Sequence, residues 1–301
     1  MPPILSLKHI SKSYGRIKAL KDVSFDVPAG SVFGILGPNG SGKTTLLGIV
    51  TDVIRSNLGS YQWFGNPPSE EQRRKLGSLL ETPNFYHYLS GKHNLEISAA
   101  IKKKPATDIE RVLKLVRLYE RKDSKFQTYS LGMKQRLAIA ACLLGDPPVL
   151  VFDEPTNGLD PSGIAEIRQL IIDLSKEGKT IILASHLLAE VEKVCTHVAI
   201  LQSGVLIKSG EVSSALSQEE WLELGSKDRE KLKEVLYRLE GLKKITESGN
   251  HLEVYFFNHA SPDPAWLNAH CFENGIVLNF LQVRRKSLES AFIELTDNVS
   301  N

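Results

Sequence analysis

A glycine-rich segment near the amino terminus constrains the fold more than any other feature of this 301-residue chain. The segment GPNGSGKTT, residues 37–45, fits the pattern G-x-x-x-x-G-K-[ST]. An apolar run at residues 31–36 precedes it and a helical pattern follows from Gly42, which predicts a strand, a loop and a helix. In such a loop, backbone N–H groups point inward at phosphate oxygens and the helix dipole adds positive potential. The segment therefore predicts a nucleotide-phosphate site.

Two side chains of this loop have separate expected roles. Lys43 supplies a mobile cation for the β- and γ-phosphates, and the Thr44 hydroxyl can ligate Mg²⁺. The loop alone leaves kinases, GTPases and motor ATPases open as classes of protein. The residues expected to contact the nucleotide are Gly37, Pro38, Asn39, Gly40, Ser41, Gly42, Lys43, Thr44 and Thr45.

A second apolar run, residues 149–152, ends in two adjacent carboxylates, Asp153 and Glu154. A buried parallel strand delivers its C-terminal side chains to the crevice where ligands bind. Because neighbouring carboxylates repel each other, such an ending favours a site beside a cation. We expect Asp153 to hold Mg²⁺ through water and Glu154 to polarise the attacking water. His186 follows the apolar run 180–184, so we expect it to reach the γ-phosphate from the next strand.

Strand patterns alternate with helical patterns over the first two-thirds of the chain, which predicts an α/β fold with a largely parallel sheet. Helical spacing dominates residues 91–143, so the expected fold is a P-loop NTPase sheet with a helical insertion. Ser203 and Gly204 stand between two short apolar runs and predict a hairpin.

The pattern changes after residue 217 and predicts a second, small α+β domain of ferredoxin-like type. A final amphipathic helix is expected over residues 288–295. We therefore divide the chain into residues 1–217, with a helical subdomain at about 84–144, and an accessory domain at residues 218–301.

Composition limits the partners of this chain. The net charge of +2 gives no field that argues for nucleic acid. Three widely spaced cysteines argue against a disulfide framework and fit a reducing compartment. No apolar run approaches the roughly 20 residues that span a bilayer, so any membrane role is expected to act through a partner. The basic run at residues 102–104 is expected to be a solvated helix end.

The segment YSLGMKQR, residues 129–136, identifies the family that the chain resembles. The segment lies between the P-loop and the carboxylate pair. It is similar to the signature motif, usually written LSGGQ, of the ABC transporter ATPase superfamily. The resemblance extends over about residues 4–217 and implies nucleotide contacts from Ser130 and Gly132. It also implies that Tyr14 stacks on adenine and that Asp160 belongs to the D-loop.

The resemblance implies two further assignments and includes two departures. His186 matches the switch histidine, and Glu81 stands where the family usually has a glutamine that helps hold Mg²⁺ and water. A carboxylate can ligate Mg²⁺ but cannot donate a hydrogen bond. Leu131 and Met133 replace a glycine and a glutamine of the signature. These departures and the C-terminal extension resemble the branch that serves drug, lantibiotic and bacitracin-type export.

The family works as a head-to-tail dimer that holds ATP and Mg²⁺ between the P-loop of one subunit and the signature of the other. The resemblance therefore implies a homodimer or pseudo-dimer of ATPase subunits bound to a transmembrane permease. The subunit is then expected at the cytoplasmic face of the inner or plasma membrane, as a peripheral protein without nucleic acid.

Two other functions remain as alternatives at this stage. A soluble ABC-type ATPase could act on ribosomes or DNA, but ribosomal members resemble tandem ATPase units and DNA-maintenance members contain a long coiled coil. Here about 85 residues separate the P-loop from the signature, without sustained heptads. A small-molecule kinase would explain the P-loop but would leave the signature-like segment and Glu154 without a role.

Overall fold

The computed structural model describes residues 2–80, 84–215, 220–257 and 263–285. The chain divides into two compact units after Ala215. No helix of the described residues is long and apolar enough to cross a membrane.

The first unit combines an open sheet, a small antiparallel sheet and a group of helices. Short 3₁₀ helices lie at Ala106–Asp108, Tyr119–Arg121 and Phe126–Thr128. The other elements are β1 (Pro3–Tyr14), β2 (Ile17–Pro28), β3 (Val32–Leu36), α1 (Lys43–Val50), β4 (Leu58–Trp63), α2 (Glu70–Arg73), β5 (Leu76–Leu79), α3 (Gly91–Ile101), α4 (Ile109–Leu115), α5 (Leu131–Leu143), β6 (Val149–Asp153), α6 (Pro161–Lys176), β7 (Thr180–Ser185), α7 (Leu188–Val194), β8 (His197–Gln202), β9 (Val205–Glu211) and α8 (Val212–Ala215).

The main sheet has the strand order β5-β6-β7-β3-β8-β9. Its first five strands run parallel and β9 is antiparallel to β8. Every residue of β3, β6 and β7 is buried, as expected for parallel strands that are covered on both faces. The carboxyl ends of these three neighbouring strands therefore meet at one edge of the sheet, where a ligand can bind.

The hairpin between β8 and β9 supports the loop that follows β3. Ser203 and Gly204 have φ angles of 48° and 81°, which suit a two-residue turn, and the predicted hairpin is confirmed. The Gly204 N–H donates to Ser41 O at 3.1 Å, while its carbonyl accepts from Lys21 N–H at 2.7 Å. The turn thus connects the P-loop to β2.

The small antiparallel sheet has the order β2-β1-β4. Its apolar side chains join those of β3 and α1 in one core, which includes Leu7, Phe25 and Trp63. The Trp63 indole N–H donates to Val50 O at 2.7 Å and so ties β4 to the end of α1. This packing places Tyr14, the last residue of β1, near the same edge of the main sheet as the P-loop.

The helical insertion consists mainly of α3, α4 and α5, between β5 and β6. These helices contribute fully buried side chains to their own contacts, among them Leu95, Leu113 and Leu137. The insertion lies between two strands that are neighbours in the main sheet, so it leaves the order of the sheet intact.

The second unit has the element order of a ferredoxin-like fold. Its sheet is antiparallel with the order β11-β12-β10-β13, and its core includes Leu222, Leu236 and Val254. The predicted ferredoxin-like arrangement is confirmed for the described residues, whereas the helix predicted at residues 288–295 lies outside them. The elements are β10 (Glu220–Ser226), α9 (Arg229–Leu236), β11 (Leu242–Ser248), β12 (His251–Phe256), α10 (Pro264–Glu273) and β13 (Leu278–Arg285).

Candidate functional site

The P-loop connects β3 to α1, and its geometry depends on glycine. Gly42, the residue before α1, has a φ of 105°, and Gly40 has a φ of 81°. A Cβ atom at Gly42 would lie 2.6 Å from Ala19 O and 2.7 Å from Leu20 Cδ2. Both the backbone conformation and the close approach of β2 therefore exclude a side chain at this position.

The amine of Lys43 lies across the inside of the loop. Nζ donates to Gly37 O at 2.8 Å and to Pro38 O at 3.3 Å, and the side chain is 6% exposed. A third partner is Glu154, whose Oε1 lies 3.4 Å from Nζ. All three partners of the Lys43 amine are oxygen atoms. The phosphate oxygens of a nucleotide can therefore replace them around the cation of this flexible side chain.

Glu154 connects the P-loop lysine to the histidine that follows β7. Its backbone has a φ of 46°, and its N–H donates to Ala184 O at 3.0 Å, which fixes the turn after β6. Its second carboxylate oxygen lies 2.9 Å from Nδ1 of His186. Lys43, Glu154 and His186 thus form a continuous chain of polar contacts at the carboxyl ends of β3, β6 and β7.

Asp153 is the last residue of β6 and is 4% exposed. Its backbone pairs in register with that of Ala184 in the neighbouring strand β7, which fixes its position at the end of β6, directly before Glu154. Thr44, by contrast, is exposed at the start of α1. A hydroxyl and a carboxylate are hard oxygen ligands, the type that Mg²⁺ accepts while it keeps several waters.

An open cavity of about 540 Å³ is lined in part by Lys43, Thr44 and Glu154 and has the size of a small-ligand site, whereas Asp153 and His186 are not among its described lining residues. The tyrosine ring of Tyr14, 47% exposed, forms one side of it, with the amine of Lys12 at 5.2 Å from the ring centroid. The structure therefore brings together Tyr14, most of the P-loop and Glu154. The lining residues are Tyr14, Ile17, Lys18, Ala19, Lys21, Asn39, Gly40, Gly42, Lys43, Thr44, Thr45, Glu154 and Ser203.

Some lining residues had no sequence signal and some expected residues are not part of the lining. Ile17, 71% exposed beside Tyr14, and Ser203 enter the cavity through the turn after β1 and the hairpin after β8. Gly37, Pro38 and Ser41 are absent from the lining among the described residues. Their carbonyl groups instead bond Lys43 and Gly204.

The signature segment lies on a different surface of the same chain. Ser130 is the N-cap of α5, and its Oγ accepts from Met133 N–H at 3.2 Å. Neither Ser130 nor Gly132 is among the described residues that line the P-loop cavity. Leu131 is 49% exposed, and a Cβ at Gly158 would lie 3.3 Å from its Cδ2.

Asp160 lies on this second surface as well. It is the N-cap of α6, and its carboxylate accepts from Gly163 N–H at 2.9 Å. Gly132 approaches the same loop, since a Cβ there would lie 4.0 Å from Leu159 Cδ2. The structure thus brings the signature and the Gly158–Asp160 loop together, but not to the P-loop of the same chain.

Glu81, expected to help hold Mg²⁺, lies outside the described residues. The described residues contain no group of three or more acidic, histidine or cysteine side chains that could hold a metal ion. Of the three expected magnesium ligands, the structure describes Thr44 and Asp153, whose oxygen atoms suit an ion that keeps several waters.

Comparisons with known proteins agree with this geometry. The sequence profile described as ABC transporter matches residues 20–157. Over 305 aligned residues the chain is 35% identical to the bacitracin transport ATP-binding protein BcrA of Bacillus licheniformis, covering 98% of each chain. Over 217 residues it is 36% identical to the lantibiotic transport ATP-binding protein SrtF of Streptococcus pyogenes, covering 72% of this chain and 95% of SrtF.

A solved structure has a similar fold. It is a dimeric post-hydrolysis state of an ATP-binding cassette bound to ADP and Pi, 26% identical in sequence, with a TM-score of 0.63. The similarity covers 69% of this chain and 98% of the solved chain.

Replacement of Gly42 by alanine tests the P-loop geometry. We expect Gly42→Ala to weaken nucleotide binding by at least about tenfold, because the added Cβ meets the backbone of β2. Titration calorimetry with ADP measures the effect. Gly178→Ala is the matched control, since Gly178 also has a positive φ, 84°, but has open space around it. Equal affinities for ADP in both variants would contradict the assignment of this loop.

Proposed function

The chain belongs to the ATP-binding subunits of ABC transporters, and we propose that its ATP hydrolysis drives export of a substrate through a separate membrane permease. The resemblance, the fold class and the ATPase activity expected from the sequence are confirmed by the family profile and by the similar proteins. The names of BcrA and SrtF, for bacitracin and lantibiotic transport, support transport and favour it over an ATPase with a non-transport partner.

The contact chain of Lys43, Glu154 and His186 is the observation that carries the proposed mechanism. It connects the expected phosphate-binding cation, a carboxylate and a histidine at the ends of neighbouring strands. The arrival of a triphosphate would draw Nζ of Lys43 from Glu154 to the β- and γ-phosphates. When water attacks the γ-phosphorus and the bond to the leaving ADP breaks, Glu154 accepts a proton from that water, and His186 orients the carboxylate through its other oxygen.

Tyr14 and the metal ligands complete the proposed site. The exposed ring of Tyr14, in the lining of the cavity, offers a stacking surface for adenine. Thr44 and Asp153, with Glu81, would hold Mg²⁺. When bound, Mg²⁺ neutralises charge on the phosphate oxygens.

Replacement of Glu154 by glutamine tests its role as the base. Glutamine keeps the shape of the side chain but cannot take up a proton, so we expect Glu154→Gln to bind ATP and to lose at least about 100-fold in hydrolysis rate. Phosphate release and ATP affinity are measured together. Glu110→Gln, at an exposed position of α4, is the control and should hydrolyse ATP like the parent protein. Near-normal turnover by Glu154→Gln would overturn the assignment.

Two copies of the chain are proposed to share each nucleotide. The P-loop cavity is open to solvent, while the N-terminus of α5 with Ser130 and Gly132 lies on another exposed surface of the same chain. A helix N-terminus attracts anions, so the signature of a second subunit can close the cavity over the γ-phosphate. The dimeric state of the similar ATP-binding cassette supports this arrangement.

Complementation between two inactive variants tests the shared site. Lys43→Ala disables the P-loop and Ser130→Arg disables the signature, so each variant alone should hydrolyse almost no ATP. If each site takes its P-loop from one copy and its signature from the other, a mixed dimer contains one intact site. We therefore expect a mixture of the two variants to regain activity, as measured by phosphate release over a range of mixing ratios. A mixture as inactive as its components would sink the shared site.

An aromatic surface after Glu81 is the proposed contact with the permease. Tyr86 and Tyr88 are 52% and 67% exposed, with ring centroids 5.9 Å apart. The buried amide of Asn94 holds the backbone of Tyr86, donating to its carbonyl at 3.1 Å and accepting from its N–H at 2.8 Å. The two rings are therefore held outward on a fixed loop, and permease binding there would place the subunit at the cytoplasmic face of the membrane.

Charge placed on this surface tests the contact. We expect Tyr88→Asp to abolish co-purification with the permease while ATP hydrolysis by the isolated subunit continues, because a buried unpaired carboxylate opposes an interface. Tyr237→Asp provides the control, since Tyr237 is similarly exposed, at 64%, in the second unit. Full permease binding by Tyr88→Asp would refute the proposed contact.

A further inference from the structure

A second cavity, of about 370 Å³, has basic side chains at five of its ten lining residues and shares no lining residue with the P-loop cavity. The run at residues 102–104, expected from the sequence to be a solvated helix end, forms one wall. Residues of α2 and of the edge strand β5 also contribute to the lining. The lining residues are Glu70, Arg73, Arg74, Leu76, Ser78, Ile101, Lys102, Lys103, Lys104 and Leu144.

This basic cavity is lined by more cationic than acidic side chains. Its lining contains five basic side chains and one carboxylate, Glu70. Arg74 pairs with Glu70 at 2.6 Å, and Arg73 pairs with Asp52 outside the lining. In the part of the chain that the structure describes, Lys103 and Lys104 form no ion pair. Like charges held this close repel each other, and a bound anion would offset that repulsion.

The lysine wall is held in place by hydrogen bonds. Lys103 has a φ of 52°, and the N–H groups of Lys103 and Lys104 donate to Ala100 O at 3.1 Å and Ala99 O at 2.9 Å. These bonds close the end of α3 in the manner of a C-terminal capping motif. The lysine backbone is therefore ordered before any ligand binds, which reduces the entropy cost of binding.

Lys102 adds a third lysine side chain to the lining. Its Nζ donates to Ala141 O at 2.6 Å near the end of α5. Burial lowers the pKa of Lys102, as does the neighbouring charge of Lys104, while Cys142 acts in the opposite direction. Burial and the charge of Lys104 both disfavour the protonated form of the Lys102 amine. An anion bound in the cavity would favour that form.

We propose that the basic cavity binds a compact anion with two or more phosphate groups, either free in solution or in a lipid headgroup. The volume of the cavity fits a small ligand. Arg73 and Arg74 are neighbours in the chain, and each guanidinium group has the fork geometry that suits phosphate oxygens. Ser78, exposed on β5, adds a neutral hydroxyl donor to the lining of the cavity. The ligand would connect the main sheet to the helical insertion, independently of the P-loop.

Pyrophosphate is the probe for this proposal, added to the full chain after ADP has saturated the P-loop. Backbone amide shifts locate the binding, and we expect them at Ser78, Arg74 and Lys102–Lys104 at low ionic strength. Lys103→Glu should weaken pyrophosphate binding by about tenfold, because it reverses one charge of the wall. The matched control is Lys114→Glu, the same charge reversal on exposed α4, which should leave the affinity unchanged.

Two further arms separate the sources of the phosphate. Vesicles of phosphatidylcholine with cardiolipin, whose headgroup has two phosphates, are compared with vesicles of phosphatidylcholine alone. Cardiolipin-dependent binding that Lys103→Glu loses supports the lipid source, and pyrophosphate binding without it supports the free anion. Absence of shifts in the basic cavity, equal weakening by Lys103→Glu and Lys114→Glu, or equally tight binding of a polyglutamate peptide would each overturn the proposal.

Discussion

The parallel register of β3, β7 and β6 is the constraint on which the site depends. Hydrogen bonding pairs Leu36 with Ser185 and Asp153 with Ala184, so the three strands end at one level. The loops that follow place Glu154 within contact distance of both Lys43 and His186. A register slip in any of these strands would break the chain of polar contacts without changing a single residue of it.

In the proposed mechanism, the polar contact chain also connects nucleotide binding to the availability of the base. Lys43 bonds two carbonyl groups of its own loop and one oxygen of Glu154, so the loop interior is occupied by its own cation. Phosphate oxygens would compete for that same amine. Nucleotide binding and the release of Glu154 would then be a single exchange of partners, and the carboxylate would stay in contact with Lys43 until a nucleotide is present.

Motifs with local geometry could be predicted from the sequence, whereas features produced by tertiary contacts could not. The P-loop and the strand that ends in Asp153 each have a conformation that depends on neighbouring residues in the chain. The same is true of the turn at Ser203, which requires positive φ angles. By contrast, β5 has four residues with a glycine and a serine, too few for a periodic pattern. In β11, five of the seven residues have charged or polar side chains, which conceals strand periodicity.

The cavity residues show the same limit. Ile17 reaches the nucleotide cavity because a separate antiparallel sheet packs on β3 and α1. The run at residues 102–104 has the composition of a solvated helix end, and only the neighbouring α2 and β5 turn it into the wall of a cavity. Spacing along the chain contains no information on such neighbours.

The buried thiols have a practical consequence. All three cysteines are buried, and burial raises the pKa of Cys142 to about 11 and also raises the pKa of Cys195 and Cys271. Because the thiolate is the reactive form, maleimides and spin labels should modify the native fold slowly. A single cysteine engineered on the surface would react faster than the three native cysteines. Distances between subunits could then be measured by spectroscopy without first replacing those native cysteines.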